Sequence, residues 1–317
     1  MQILAIPKRE RIYAIAFSPS GRDLVAACGD GKIRVWDTTT GDIRHIGSLE
    51  EESYGSAITF VSDHSIVIAA NGLLHWDMAA NEWTQAIRVA RSTSQLALSP
   101  DGRFLAEVDE IHSTDSPGSG LDIHDIVNWK GTLLQEDIHD TSGGVAFSSD
   151  GGWLATSHIV RVGQKERTLG VQFGRYLTNE YDYVVRIRES PSYRTVRSIP
   201  GWGQGVRFLA FSPDGNTLAG TAGPRLRIWD LLGDRELAVQ KRGSRHFQGL
   251  AFTIDGRYLA TVSNDTTVRM WDARTWNETS TFEWKIGRLL NIAIAPDGMR
   301  AAAGSDKGQI VIWDLDE

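Results

Sequence analysis

One segment recurs seven times along the 317 residues of this chain, and this repeat constrains the fold more than any other feature. The copy at 16–37, AFSPSGRDLVAACGDGKIRVWD, shows its parts, which are short apolar stretches separated by turns that contain glycine. The copies align on seven apolar anchor residues, namely Phe17, Phe60, Leu98, Phe147, Phe211, Phe252 and Ile294. The anchors are 43, 38, 49, 64, 41 and 42 residues apart. A period of about 40 residues predicts an array of similar units that bury a core by packing against their neighbours.

Each unit predicts four β-strands joined by tight turns. The residues VAF or LAF alternate and form the first strand. SPDG follows, with Pro and Gly where a type I turn favours them. A second strand of small apolar residues, a turn such as GDGK or NDTT, and a third strand that ends in Trp-Asp come next, before a more polar fourth strand such as 42–49. Because no stretch shows a strong helical period, we predict an all-β fold.

The third strands carry the motif that suggests a family. A Trp-Asp pair ends five of them, at 36–37, 76–77, 229–230, 271–272 and 313–314. His124-Asp125 and Arg188-Glu189 stand at this place in two other units. Over essentially its whole length the chain resembles the WD-repeat β-propeller family. The resemblance implies one domain at 1–317, a single seven-bladed β-propeller of four-stranded blades.

The two chain ends are expected to close the ring. The last unit stops after its third strand, in WDLDE, and lacks a fourth strand. Residues 2–6, QILAI, are the candidate for that strand. The N-terminal strand would then pair into the last blade and cover an edge that otherwise invites aggregation.

One feature of the family is missing from this chain. The family often places Gly-His before the first strand, and the His hydrogen-bonds the Asp of the tight turn between the second and third strands. Here those sites hold Gly201-Trp202 and Arg242-Gly243, while the turn aspartate is kept as Asp30, Asp182, Asp265 and Asp306. We therefore expect an incomplete network, with some blades held mainly by packing.

Two insertions interrupt the repeat, and both fall between a second and a third strand, so they share one rim of the ring. The first, 109–120, is polar and rich in Ser and Gly, which favours a loop. The second, 158–181, alternates around GQKER and predicts an extra hairpin. Contact with a partner and neutral loop growth are both open interpretations.

Composition argues against several classes of protein. The single cysteine, Cys28, allows no intramolecular disulfide and suits a reducing compartment, so a cytoplasmic location is expected. The N-terminus lacks the features of a secretory signal, and no apolar run approaches the ~20 residues of a membrane helix. The net charge of −7 argues against a surface that tracks phosphates in general, although a local basic patch remains open.

No pattern of catalytic residues stands out. The sequence contains no Gly-x-Ser-x-Gly motif, and Cys28 lies in a small apolar strand that predicts a packed thiol. GWGQG at 201–205 precedes a strand rather than a helix, so it lacks the context of a phosphate loop. Histidine and aspartate gather in the third and fourth units, where they could meet at a metal, as His112, Asp115, His124, Asp125, His139 and Asp140. His124 and Asp125 are already explained as the altered Trp-Asp pair, and we predict no catalytic residue, cofactor or metal.

The resemblance also implies positions that contact partners. In the family these positions lie six and four residues before the first-strand anchor and one before the tight-turn Asp, around one mouth of the channel. Carried over to this chain, they include Arg11, Tyr13, Tyr54, Tyr181, Arg207, His246, Gln248, Asn264, Arg288 and Leu290. The arginines fall in blades five, seven and one, which with blade six form a contiguous arc of a closed ring. We predict that this arc binds an acidic or phosphorylated protein segment, against the alternative that its arginines are rim charges paired with Asp and Glu.

These features together predict a non-enzymatic scaffold that presents a rigid loop face, the face with the insertions, to partner proteins. A monomer without membrane attachment is expected. Two alternatives remain open, a small-ligand or enzymatic site in the central channel and nucleic-acid binding by the arginine arc.

Overall fold

A computed structural model shows seven four-stranded antiparallel sheets arranged as the blades of a ring. It describes residues 1–7, 9–49, 55–70, 72–87, 93–109, 120–127, 129–136, 141–168, 175–241 and 245–316. Within these ranges every helix or strand element is a β-strand, as the alternating repeat predicts. None of the described segments is a helix long and apolar enough to cross a membrane.

The first strand of the chain, β1 (Gln2–Ala5), belongs to the last blade, and blades 1 to 3 follow it. Blade 1 contains β2 (Ile12–Phe17), β3 (Asp23–Cys28), β4 (Lys32–Asp37) and β5 (Ile43–Ser48). Blade 2 contains β6 (Ala57–Ser62), β7 (Ser65–Ala69), β8 (Leu73–Asp77) and β9 (Glu82–Ile87). Blade 3 contains β10 (Thr93–Leu98), β11 (Phe104–Asp109), β12 (Leu121–Asp125) and β13 (Lys130–Glu136).

Blades 4 to 7 repeat the same order of strands. Blade 4 contains β14 (Thr141–Phe147), β15 (Trp153–Thr168), β16 (Arg175–Glu189) and β17 (Arg194–Ile199). Blade 5 contains β18 (Val206–Phe211), β19 (Thr217–Ala222), β20 (Arg225–Asp230) and β21 (Arg235–Lys241). Blade 6 contains β22 (Phe247–Phe252), β23 (Tyr258–Ser263), β24 (Thr267–Asp272) and β25 (Glu278–Glu283). Blade 7 contains β26 (Leu289–Ile294), β27 (Arg300–Ser305), β28 (Gln309–Asp314) and β1.

The N-terminal strand closes the ring. β1 pairs antiparallel with β28, and Leu4 lies opposite Ile310. Leu4 and Ile6 are buried in one cluster with Ile310 and Ile312. The first strand of every blade contacts the first strands of both neighbours, including β2 against β26, so these seven strands surround a central channel. The predicted seven-bladed propeller, closed by its N-terminal strand, is confirmed.

The hydrophobic core lies between the blades. Val25 and Val35 of blade 1, for example, pack with Phe60, Ile66 and Trp76 of blade 2. The Trp-Asp tryptophan Trp76 is fully buried and stacks on Trp83, with ring centres 5.0 Å apart. Successive side chains of a strand point to opposite sides of the blade, so runs of apolar residues place apolar side chains on both sides. Each blade therefore needs both of its neighbours to bury these side chains.

The ring has two faces, and the order of strands in each blade determines which links lie on which face. The loop face carries the links between second and third strands and the links from one blade to the next. The turn face carries the links between first and second strands and between third and fourth strands. The described residues of the second predicted insertion, 158–168 and 175–181, belong to the loop face.

Ion pairs between aspartate and arginine replace the missing contact to histidine. Asp30, in the turn after β3, accepts hydrogen bonds of 2.9 and 2.6 Å from the guanidinium of Arg34 on β4. Asp265 and Arg269 repeat this arrangement in blade 6, at 3.3 and 2.8 Å. Both arginines are buried. In blades 1 and 6 a guanidinium therefore bonds the turn aspartate where the family often uses an imidazole, and the expectation that some blades are held mainly by packing stays a prediction for the others.

The two blades that lack Trp-Asp bury polar side chains at the tryptophan position. In blade 3, Nε2 of His124 lies 3.0 Å from Oε2 of Glu107, and both side chains are almost fully buried. In blade 4, Arg188 donates from Nε to the hydroxyl of Thr156 at 3.2 Å and from Nη1 to the carbonyl of Tyr193 at 3.1 Å. Hydrogen bonds thus replace part of the apolar packing of the tryptophan ring.

Blade 4 also carries a projecting ribbon on the loop face. β15 pairs with β14 only as far as His158, and β16 pairs with β17 only from Val185. Beyond these points β15 and β16 pair only with each other, from Ile159 opposite Tyr183 to Thr168 opposite Arg175. We call residues 159–168 and 175–184 the arm. Residues 110–119, which make up most of the first predicted insertion, lie outside the described residues.

Candidate partner-binding face

The central channel opens beneath several of the predicted partner-contacting residues. Its cavity has a volume of about 400 Å³ and is lined by residues from all seven blades, among them Tyr13, Arg207 and Leu290. Many of the lining residues are apolar residues of the first strands, such as Ile15 and Phe208. The channel lining therefore combines apolar residues with the guanidinium of Arg207 and the phenol of Tyr13.

A β-bulge places these residues at the mouth. The pairing of the first and second strands skips one residue in blades 1, 3, 5, 6 and 7. In blades 1, 5, 6 and 7 the skipped residues are Tyr13, Arg207, Gln248 and Leu290. A bulge of this kind turns a side chain out of the regular alternation of the strand. The same local irregularity thus presents a different side chain from each of four blades.

Arg11 and Tyr13 form a small aromatic and cationic unit beside the mouth. The guanidinium carbon of Arg11 lies 5.9 Å from the centre of the Tyr13 ring, and Arg11 is exposed. A cation at this distance from a ring is attracted to it by about 0.5 to 1 kcal/mol at an exposed site. The arrangement holds a positive charge at the rim of blade 1.

The other predicted residues lie further from the channel. Nε of Arg288 forms an ion pair with Asp306 at 3.1 Å, and its backbone N–H donates to the same carboxylate at 2.9 Å. The backbone N–H of His246 donates a hydrogen bond to Oδ1 of Asn264 at 3.0 Å. The side chain of Asn264 therefore links the loop before β22 to the turn after β23. Tyr181 is an exposed residue of the arm. Tyr54 lies outside the described residues.

Sequence reasoning did not select the residue that follows each bulge. Gln95 and Asn291 occupy this place in blades 3 and 7 and line the channel. Both lie three residues before the apolar anchor of their repeat. The spacing from the anchor could have identified these two residues. Successive side chains of a strand point to opposite sides, so the residue next to a partner-contacting position is expected to face a different direction from it.

One cluster has the residue types of a metal site. Glu107, Asp122 and His124 are buried, and their ligand atoms lie within 4.8 Å of one another. Nε2 of His124 is already within hydrogen-bond distance of Glu107, so the cluster serves blade 3 as a replacement for the tryptophan. Asp125 instead accepts from Arg103 at 3.0 Å. The other predicted candidates, His112, Asp115, His139 and Asp140, lie outside the described residues.

Cys28 is a packed side chain. It is buried in the cluster that contains Leu24 and Trp36. Burial raises the pKa of its thiol to about 11, so the reactive thiolate is scarce at neutral pH.

A closed ring of seven four-stranded antiparallel blades, with Trp-Asp at the end of most third strands, defines a β-propeller. The family profile described as WD domain, G-beta repeat matches residues 5–37, 193–230, 242–272 and 279–314. Four segments thus match the WD-repeat family model, and the resemblance predicted from the sequence is confirmed.

Named relatives are similar over part of their length. Target of rapamycin complex subunit wat1 of Schizosaccharomyces pombe is 27% identical over 143 residues, which cover 44% of this chain and 45% of the relative. Target of rapamycin complex subunit LST8 of Mus musculus is 26% identical, with 44% of this chain and 43% of the relative covered. Periodic tryptophan protein 2 homolog of Mus musculus is 21% identical over 82% of this chain and 33% of the relative. The chain spans less than half the length of each of them.

Proposed function

We propose that this chain is a non-enzymatic scaffold whose loop face binds an acidic or phosphorylated segment of a partner protein. The observation that carries the proposal is the set of bulged residues around the channel mouth, with Tyr13, Arg207 and Leu290 lining one cavity. Arginine and tyrosine are enriched at binding hot spots because they combine contact area with directed hydrogen bonds. The ring holds these side chains on paired strands, which keeps the ordering cost of binding low.

The names of two relatives support a role in protein assemblies. Both wat1 and LST8 are described as subunits of target of rapamycin complexes. We extend to this chain only the general role of a subunit that holds other proteins. Its place inside the cell, predicted as cytoplasmic, remains part of the proposal.

A binding assay with a defined probe tests this function. The probe is a fluorescent peptide with a phosphoserine flanked by glutamates and one leucine, and the control probe replaces these acidic residues with serine and glutamine. We expect the acidic probe to bind, and Arg207→Glu to weaken binding by at least ten-fold.

Arg274→Glu is the matched control variant, because Arg274 is an exposed arginine of the turn face in blade 6. Equal affinity of the wild type and Arg207→Glu for the acidic probe would overturn the proposal. Equal loss in both arginine variants would do the same, since it would show general charge attraction.

A further inference from the structure

A second surface lies on the turn face, between blades 6 and 7. A cleft of about 340 Å³ opens there, and its lining includes Tyr258, Phe282 and Trp313. Phe282 stacks on Trp284 with ring centres 5.6 Å apart and planes 4° apart, and Trp284 lies 4.9 Å from Trp313. The aromatic wall is therefore held rigidly by ring contacts across two blades.

The rim of this cleft is acidic. Asp255, Asp314, Asp316 and Arg257 line it. Arg257 forms an ion pair with Asp255, which leaves the two carboxylates of Asp314 and Asp316 as the excess charge of the rim. Asp314 lies 3.9 Å from the N-terminal ammonium, and about half of each group is exposed to solvent, so this contact is weak. Aromatic rings with carboxylates at the rim attract a cation and repel an anion.

A second cleft adjoins the first and also combines aromatic residues with a carboxylate. It has a volume of about 420 Å³, lies between blades 5 and 6, and shares Asp255 with the first cleft. Asp214 contributes to its lining, and Phe252 and Trp276 supply aromatic walls in edge-to-face contact at 6.4 Å. Two neighbouring clefts of one kind match a chain molecule better than a single small ligand.

The surface beside the clefts departs from the repeat. Ile254 and Met299 are 52% and 61% exposed, and they form an apolar pair beside the clefts. Ile254 stands where other blades place proline, namely Pro19, Pro100, Pro213 and Pro296. Its Cβ lies 3.4 Å from the position that a Cβ on Gly298 would take, so it packs directly beside the turn that carries Met299. Blades 6 and 7 thus present two exposed apolar side chains next to the clefts.

We infer that the paired clefts bind an extended basic peptide segment of a partner, with an arginine or lysine in each cleft and an apolar residue on Ile254 and Met299. The carboxylates at the rim favour a positively charged ligand. The exposed side chains of Ile254 and Met299 favour a peptide, which can also supply an apolar side chain, over a simple amine. This surface lies on the opposite face from the proposed acidic-segment site and is independent of it.

The experiment uses a capped fluorescent peptide in which two leucines separate two arginines, and a matched peptide with glutamates in place of the arginines. Anisotropy is measured with the full chain, and thermal unfolding confirms that each variant is folded. Ser280→Trp fills the first cleft, since Ser280 is an exposed residue of its lining. Asp316→Lys reverses one rim charge. Glu82→Lys makes the same change of charge in blade 2 and serves as the control.

We expect the arginine peptide to bind, with at least ten-fold weaker binding to Ser280→Trp and Asp316→Lys and unchanged binding to Glu82→Lys. Unchanged binding to both cleft variants would overturn the inference, as would an equal loss in Glu82→Lys, which would indicate general charge attraction. A complete lack of binding by the wild type would also overturn it. Sedimentation that showed a dimer dissociated by Ser280→Trp would assign the clefts to a second copy of this chain instead.

Discussion

At the scale of single residues, buried charge in this propeller is organised around arginine. Arg34 and Arg269 hold the tight-turn aspartates of blades 1 and 6, and Arg188 replaces a tryptophan in blade 4. Removing one partner of such a pair leaves a charge in a medium that solvates it poorly. Blades 1 and 6, whose turn ion pairs involve buried arginines, are therefore expected to lose stability on substitutions that change the charge and conserve the shape of the side chain.

Asp30→Asn is expected to lower the free energy of unfolding by about 2 kcal/mol, because it strands the buried guanidinium of Arg34. Urea unfolding measures this loss. Asp306→Asn is the matched control in blade 7, since its partner Arg288 is 65% exposed, and it should cost less than about 1 kcal/mol. Equal losses in the two variants would contradict the account.

The effect of Asp30→Asn should also depend on pH. The hydrogen bonds from Arg34 lower the pKa of Asp30 below its ordinary value. A carboxyl group whose pKa is lower in the folded state stabilises the fold above its unfolded pKa of about 3.9 and loses this effect as pH falls through the folded pKa. The difference between wild type and Asp30→Asn should therefore stay constant at neutral and mildly acidic pH and shrink below about pH 4. A difference that grew on acidification would have the wrong sign.

At the scale of elements, the N-terminal strand is the part of blade 7 most distant in sequence from its partners. Leu4 of β1 is buried against Ile310 of β28. Leu4→Ala should destabilise the fold by about 2 to 3 kcal/mol, through lost burial and the cavity left behind. Ile3→Ala is the control, because Ile3 is exposed, and it should change stability far less. Thermal unfolding of the two variants separates these outcomes, and equal effects would argue against closure by β1.

The arm is expected to contribute little to stability. A two-stranded ribbon is at best marginally stable alone, and its strands leave the four-stranded sheet beyond His158 and Val185. Replacing residues 161–181 by a short Asn-Gly turn should therefore lower the free energy of unfolding by no more than about 1 kcal/mol. Unfolding in urea is the measurement, and a loss comparable to that of Leu4→Ala would show that the arm packs on the ring.

The sequence alone predicted most of the β-strands, because each repeat contains the same alternation of apolar residues and the same turn residues. The sequence also contained a signal for the ion pairs of the tight turns in blades 1 and 6, since Asp30 and Asp265 each precede an arginine by four residues. The β-bulges could not be predicted from the sequence, because the skipped residues Tyr13, Arg207 and Leu290 are of different chemical types and form no common motif. The cleft between blades 6 and 7 depends on rings far apart in sequence, and a repeat alignment carries no information about such contacts.

At the scale of the whole molecule, the two proposed surfaces lie on opposite faces of a stiff ring. Sites that share no residues usually act independently. The acidic probe and the arginine peptide should therefore bind together, and Arg207→Glu should leave the affinity for the arginine peptide unchanged. Anisotropy of one labelled peptide in the presence of the other measures this, and mutual displacement would contradict separate sites.

The central claim is that the loop face holds a partner protein, and affinity purification from the native cell with mass spectrometry tests it most directly. The wild type is compared with a variant in which Arg11, Arg207 and Arg288 are all changed to Glu. The control variant carries Arg194→Glu, Arg235→Glu and Arg274→Glu, three exposed arginines of the turn face. The account predicts a partner that is recovered with the wild type and the control and lost with the loop-face variant. The same partners in all three purifications, or none in any, would contradict it.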